Sequence, residues 1–291
     1  MNRLFLIILM MMFSSNDKAF AQSTLEWQHQ QISITTAHNA RQLGGYKIGD
    51  KQIKKDLLLR SARLSSLSAE DSALLADKFR LQCIYDFRGQ DEIVSQPDVI
   101  PGTAKHLSLS ISFAAKEAAS VSFGSEAEML KMLLENAEHP MLQSLCENLY
   151  DVIFFEASSQ EVYRKFFAEL LLHEPEKGAV LWHCTQGKDR AGCASAMLLA
   201  ALGADRQLIM EDFMLSKQYY DKRTAYIKTE TEAQRQVINT LISANPDIFA
   251  KTLDKVEARY GSLRNYLMEC IAVTPDMMET LRDRYLEEQT K

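Results

Sequence analysis

Gly178-Ala-Val-Leu-Trp-His183 runs into Cys184-Thr-Gln-Gly-Lys-Asp-Arg190, and then into Ala191 to Leu202 with Gly203 behind it. The first piece is an apolar run of strand length, and the last is an Ala/Leu-rich helix with a glycine at its stop. The polar piece between them is therefore a loop from the carboxyl end of a strand to the amino end of a helix. Ligands of open α/β sheets bind at that edge. The first turn of a helix offers unpaired N–H groups and partial positive charge, which together hold phosphate. The same field favours the thiolate of Cys184. Arg190, six residues on, can grip two phosphoryl oxygens with its planar fork. Gly187 supplies the backbone freedom of a tight cradle, and Gly192 permits close approach. Thr185, Gln186, Lys188 and Ala191 complete the loop around the expected anion. The parts needed for nucleophilic phosphoryl transfer are adjacent in the chain.

An arginine six residues after a cysteine is a weak signal by itself. Of the five cysteines only Cys184 has one; Gly89, Val152, Leu199 and Asp276 stand at that distance from the others. A buried structural thiol is the ordinary fate of a free cysteine, but such a thiol has no use for Gly, Lys, Asp and Arg beside it. A nucleotide P-loop needs Ser or Thr where Asp189 stands and Gly where Trp182 stands. No Cys-x-x-Cys or His-x3-His spacing occurs, so the motifs call for no metal and no cofactor.

Working outward, Leu81 to Phe87 is a second strand candidate, and short strands fill residues 31–61. Tyr46 to Ile48 and Gln52-Ile53 flank a Gly49-Asp50 turn. Ser68 and Asp71 open an amphipathic helix through Phe79. Helical period returns from Ser125, capped with Glu128, and across Leu142, Leu145, Cys146, Leu149 and Ile153. It returns again from Ser158, capped with Glu161, to Leu170. The C-terminal third is helical and ends in a helix opened by Thr274-Pro275. This alternation predicts an α/β fold, with a central, mostly parallel sheet flanked by helices. Residues 111–155 interrupt the alternation with helix alone and read as an insertion.

At the chain start, Arg3 precedes an unbroken apolar run from Leu4 to Phe13, and Ala19-Phe20-Ala21 follows a polar stretch. The run is ten residues long, whereas a spanning helix needs about 20. The layout predicts a signal peptide over residues 1–21, cut before Gln22, with a single domain over 22–291 exported to a periplasm or beyond. The 33 Lys and Arg face 39 Asp and Glu, a net charge of −6 that argues against a general nucleic-acid partner. A hydrophobic content of 46% and a charged content of 25% are those of an ordinary globular chain. No later segment is apolar enough to span a membrane, and five cysteines are too few for a disulfide scaffold.

His183-Cys184-Thr-Gln-Gly-Lys-Asp-Arg190-x-Gly192 resembles the signature loop of the bacterial cysteine-dependent tyrosine phosphatases typified by the mycobacterial secreted tyrosine phosphatase B. Asn39-Ala-Arg-Gln-Leu-Gly-Gly45 resembles that family's Asn-x-Arg-Asp-Leu-Gly-Gly, and Leu59-Arg-Ser61 with Leu64-Ser65 its Arg-Ser-x-x-Leu-Ser. Asp86-Phe-Arg88 with Glu92, Asp212-Phe-Met-Leu-Ser216 and Tyr260-Gly-Ser to Leu267 continue the likeness in the family's order. The resemblance implies the cysteine-phosphatase fold, with a helical lid that residues 111–155 would supply. It also implies a phosphotyrosine substrate, with phosphoserine/threonine or phosphoinositides beside it.

Cys184 would attack phosphorus and form a cysteinyl-phosphate, while Arg190 and the loop amides hold the equatorial oxygens. In the resembled family the in-loop Asp is the proposed acid, which makes Asp189 the choice here; the bland alternative is an ion pair that only orients Arg190. Asp86 is the rival acid, although holding Arg88 is its simpler task. Lys188 would read a second anionic group or else be a solvated charge. Arg88 would brace the loop, contact substrate, or form a surface pair with Glu92. His183 would hydrogen-bond inside the fold, and the other histidines are left to structure or surface. Ala191 stands where the family has Thr or Ser, whose hydroxyl assists the leaving thiolate, so a slow second step is expected. Gln42 stands in place of the motif's Asp. Cys83 and Cys193 are candidate partners that would protect an oxidised Cys184. Beside the tyrosine phosphatase, two alternatives stand: an inositol-phosphate or phosphoinositide phosphatase, and an inactive phosphate-binding module.

Overall fold

The computed structural model describes residue 30, residues 32–111 and residues 126–289. The predicted signal peptide and the Ser125 cap lie outside them. Eight strands are described: β1 (Arg41–Gln42), β2 (Lys47–Ile48), β3 (Lys51–Ile53), β4 (Leu58–Ser61), β5 (Cys83–Asp86), β6 (Lys105–Ser108), β7 (Val180–His183) and β8 (Leu286–Glu288). The main sheet has the order β1-β4-β7-β5-β6; β4, β7, β5 and β6 are parallel, and β1 lies antiparallel at the edge. This is the α/β, mostly parallel architecture that the alternation predicts. Parallel strands are buried on both faces. Leu58, Tyr85 and Trp182 accordingly enter one apolar core, and Leu59, Ile84 and Leu181 a second on the other face.

The second face is covered by α1 (Ala69–Ala73), which runs on as a wider turn over Leu74–Lys78. Ser68 Oγ accepts the Asp71 N–H, as the sequence pattern requires. Helix α2 (Gln90–Ser95) follows β5. Helices α3 (Glu126–Glu135), α4 (Pro140–Phe155) and α5 (Ala157–Leu172) fill the stretch before β7. After the loop come α6 (Arg190–Leu202), α7 (Arg206–Thr224), α8 (Glu232–Val237), α9 (Pro246–Tyr260), α10 (Leu263–Glu269) and α11 (Pro275–Tyr285). All 13 residues of α6 are buried, because α4, α7, α10 and α11 pack around it. Its Ala-rich surface lets those helices come close. Gly203 ends it in left-handed backbone (φ +101°).

Two expectations change. Helix α5 starts at Ala157, not at a Ser158 cap: α4 stops at Phe155 and the single extended residue Glu156 serves both helices. The chain does not end in a helix, since Leu286–Glu288 pairs with β3 to form the three-stranded sheet β2-β3-β8. Helix α4 buries Leu142, Cys146, Leu149, Tyr150, Ile153 and Phe154 in the main core, where Tyr150 and Phe154 pack on Phe249 of α9.

Candidate active site

The register of the parallel strands places Ser61, His183, Asp86 and Ser108 in one row at the carboxyl edge of the sheet. Cys184 follows immediately and is 2% exposed. The loop then turns through Gly187, whose φ is +66°. A Cβ there would sit 2.2 Å from the Ser61 carbonyl oxygen, so glycine alone fits. The carbonyl of Gln186 accepts the Tyr220 hydroxyl at 2.6 Å, and that of Gly187 accepts Arg60 Nη2 at 2.7 Å. Asn39 Nδ2 donates to both, at 3.3 and 3.1 Å. A trans peptide points its N–H opposite its carbonyl, so the N–H groups of Gly187 and Lys188 face away from these donors. The start of α6 adds its free N–H groups to the same site.

Arg190 is clamped rather than loose. Its Nη1 and Nη2 donate to the two Glu92 carboxylate oxygens at 2.6 and 2.9 Å. Nη1 also reaches the carbonyls of Phe87 and Ile111 at 3.2 and 3.1 Å, and Nη2 reaches Thr185 Oγ1 at 3.2 Å. The Thr185 hydroxyl in turn donates to Glu92. Burial works against the Arg190 charge, but Glu92 outweighs it and raises the guanidinium pKa further. Glu92 is placed for this by α2, whose first N–H groups it also caps through Gly89 N at 2.7 Å. The surface pair of Glu92 with Arg88 therefore does not form.

Asp189 and Lys188 are joined to each other. Lys188 Nζ lies 3.0 and 2.9 Å from the two Asp189 oxygens and donates to the Thr240 carbonyl at 3.0 Å. Lys188 is 0% exposed, which excludes a solvated charge. Tyr150 of α4 donates to Asp189 Oδ1 at 2.9 Å. Asp189 is thus held by Lys188 and Tyr150, and the ion pair with Arg190 is not made.

Asp86 and Arg88 stand one strand away, with all three nitrogens of the guanidinium bonded. Arg88 Nε and Nη2 bond the Asp86 carboxylate at 3.0 and 2.7 Å, Nη2 bonds Asp98 at 2.7 Å, and Nη1 bonds the Gln96 carbonyl at 2.7 Å. His106 Nε2 lies 3.3 Å from Asp86 Oδ2 and 3.4 Å from Asp98 Oδ2, and His183 Nε2 lies 3.0 Å from Asp98 Oδ2. His183 Nδ1 is also 3.3 Å from the Cys184 carbonyl. Burial alone would raise the Asp86 pKa, yet His183, His106 and Arg88 hold it well below the usual carboxylate range. The Asp86 carboxylate is thus occupied by Arg88 and the histidines behind the loop, whereas Asp189 lies in the loop itself. His106 and His183 with Asp86 and Asp98 set four metal-type donor atoms within 4.8 Å of one another, and the Arg88 guanidinium already supplies positive charge among them. His106 is thus part of the support behind Cys184, and not an isolated surface residue.

Cys83 pairs in register with Val180, four residues before Cys184. At ~3.3 Å per residue that is about 13 Å, beyond the ~7 Å Cα limit of a disulfide. Cys83 is therefore not a partner for the loop thiol. Cys193 is fully buried in α6, its N–H bonded to the Asp189 carbonyl at 2.8 Å, and burial keeps its thiol protonated by raising its pKa.

The pattern of the tyrosine phosphatase family matches residues 32–287, and the chain belongs to that family. It is a phosphoric monoester hydrolase. It is 27% identical over 279 residues to a protein of Cupriavidus necator provisionally named a tyrosine-protein phosphatase, covering 92% of this chain and 93% of that one. It is 29% identical over 104 residues to the triple specificity protein phosphatase PtpB of Mycobacterium tuberculosis, covering 31% and 38%. Among solved structures, the core catalytic domain of the PP-IP phosphatase SIW14 from S. cerevisiae overlaps 77% of this chain and 96% of its own at 13% identity. The TM-score is 0.29, too low to carry an argument.

Proposed function

We propose that this member of the tyrosine phosphatase family is an exported, cysteine-dependent phosphatase acting on phosphotyrosine, and on phosphoserine/threonine as a secondary substrate. The observation that carries the reading is the loop from β7 to α6, with Cys184 at its start, Arg190 fixed by Glu92, and the peptides of Gln186 and Gly187 tied from outside. Cys184 Sγ attacks phosphorus and forms the S–P bond as the bond to the leaving oxygen breaks. Asp189 gives that oxygen its proton. Asp189 then takes a proton from water, whose oxygen attacks phosphorus, breaks the S–P bond and releases inorganic phosphate. The loop amides, that of Thr185 among them, bind the equatorial oxygens throughout, and the Arg190 guanidinium held by Glu92 supplies the positive charge beside them. Ala191 provides no hydroxyl for the departing thiolate, so the second step limits turnover and rapid mixing gives an initial burst of released alcohol. Lys188 is engaged by Asp189 and the Thr240 carbonyl. That commitment counts against its reading a second phosphate, and places phosphoinositides behind phosphotyrosine.

The first test is turnover of an aryl phosphate. We expect activity in the parent chain and none in Cys184→Ser; retained activity in the variant sinks the mechanism, and an inert parent chain favours a phosphate-binding module. Asp189→Asn should lower kcat/KM for phenyl phosphate by ~10²–10⁴-fold, and for p-nitrophenyl phosphate much less, because nitrophenolate leaves without a proton. Equal losses of kcat/KM on both substrates would remove Asp189 as the acid; kcat, set by the second step that both share, should fall alike on the two.

A further inference from the structure

Three stretches for which the family likeness supplied no role meet behind the loop. Asp212 of α7 accepts Arg41 Nε at 3.1 Å, Arg60 Nη1 at 2.5 Å and the Tyr46 hydroxyl at 3.2 Å. Ser216, one helical turn on, accepts Arg41 Nη2 at 3.0 Å and Asn39 Nδ2 at 3.1 Å. Arg41 and Arg60 are 0% exposed and Asp212 is 2% exposed. Asn39 Nδ2 and Arg60 Nη2 continue from this cluster to the carbonyls of the loop. Two guanidinium groups thus share one carboxylate in the interior. Arg60 Nε has no acceptor among the described residues. Burying cations against too few anions is unfavourable unless another negative charge stands near. Arg60 registers the imbalance: burial and then Arg41 pull its pKa down to about 10, while Asp212 and, more weakly, Cys184 push it up.

Resting on the reading of the loop as a phosphate site, we propose that Arg60 is a positioning residue of that site. Its bond to the Gly187 carbonyl orients the loop peptide, and its unbalanced charge is the counter-charge of the anion seated in the loop. That anion is first the Cys184 thiolate and then the phosphoryl group. Asp212, Arg41 and Ser216 fix the guanidinium in place, so its charge cannot swing away to solvent.

The test uses the full chain, with inorganic phosphate as the probe by calorimetry and iodoacetamide alkylation of Cys184 at pH 7. Arg60→Met should weaken phosphate binding at least tenfold and slow alkylation by a similar factor, with kcat/KM falling alongside. Arg60→Lys restores the charge without the fork, and should bring phosphate affinity back to within about threefold of the parent. A variant Arg60→Met that merely unfolds at lower temperature, with phosphate binding and alkylation unchanged, overturns the proposal. Should Arg60→Met fail to fold, Arg60→Lys decides alone: a tenfold or greater loss of phosphate affinity overturns it, and near-parent affinity supports it. A parent chain that binds no phosphate at all overturns this proposal and the reading of the loop together. A parent chain that binds phosphate but lacks turnover overturns only the enzymatic reading, and the Arg60 comparison still stands.

Discussion

Gly187 and Arg190 shape the loop by opposite means, one through a missing side chain and the other through a side chain clamped at both terminal nitrogens. Alanine at 187 would need left-handed backbone, at a cost of about 1–2 kcal/mol. Its Cβ would also press on the Ser61 and Ala62 backbone at 2.2 and 2.6 Å. Gly187→Ala is therefore expected to lower unfolding free energy by more than that backbone cost alone, and to abolish phosphate binding. Urea titration and calorimetry on the same preparation check both, and an unchanged phosphate affinity would contradict the cradle. At this scale the nine residues from Cys184 to Gly192 were legible, because they are adjacent in the chain and their chemistry is local. The partner of Arg190 was not. Glu92 is 98 positions away and comes to it only because β5 lies beside β7. Tyr150, Tyr163 and Tyr220 were missed for the same reason: a buried tyrosine is indistinguishable in sequence from a core aromatic until its hydroxyl is seen to reach Asp189 or the carbonyls of Arg190 and Gln186.

Strand β5 supports the loop through the cluster at its end. Hydrogen bonds donated by the ring to Asp86 and Asp98 raise the His106 pKa to about 9. A folded value above the unfolded ~6.5 means that the protonated ring stabilises the fold fully below that pH. The contribution is then lost as pH climbs through the folded value. Urea midpoints measured from pH 7 to 10 should fall in the parent chain and fall less in His106→Gln; parallel curves would show that the ring does not carry a charge there. Asp86 and Asp98 have the opposite sign. His183, His106 and Arg88 lower both, against burial, so their contribution is lost in acid. Of the elements, β5, β7, the short strands before residue 61 and most helices were read from period and caps, whereas β6, β8 and α2 were not. The α5 start was not, because Ser158 and Glu161 present a capping pattern in a place where α4 leaves room for only one linking residue.

Across the whole molecule, an early hairpin and the last strand meet in the sheet β2-β3-β8. Lys51, Gln52 and Ile53 pair with Glu288, Glu287 and Leu286. Leu286 is 4% exposed, and burial of a leucine side chain contributes about 1.5–3 kcal/mol. Deleting residues 286–291 should lower unfolding free energy by about that amount while leaving phosphate affinity within about twofold. A large loss of affinity would mean that this sheet shapes the site. Nothing in Leu286-Glu-Glu288 announces a strand, since a three-residue edge has no period to read. By itself the sequence determined the α/β layering, the strand–loop–helix that carries Cys184 and Arg190, and the family, because these depend on short-range patterns. Tertiary structure alone decided which charges pair. Arg190 went to Glu92, and Arg41 and Arg60 to Asp212. A buried charge takes the partner that the packing of separate strands and helices brings within about 3 Å, and that proximity is not written in the spacing along the chain.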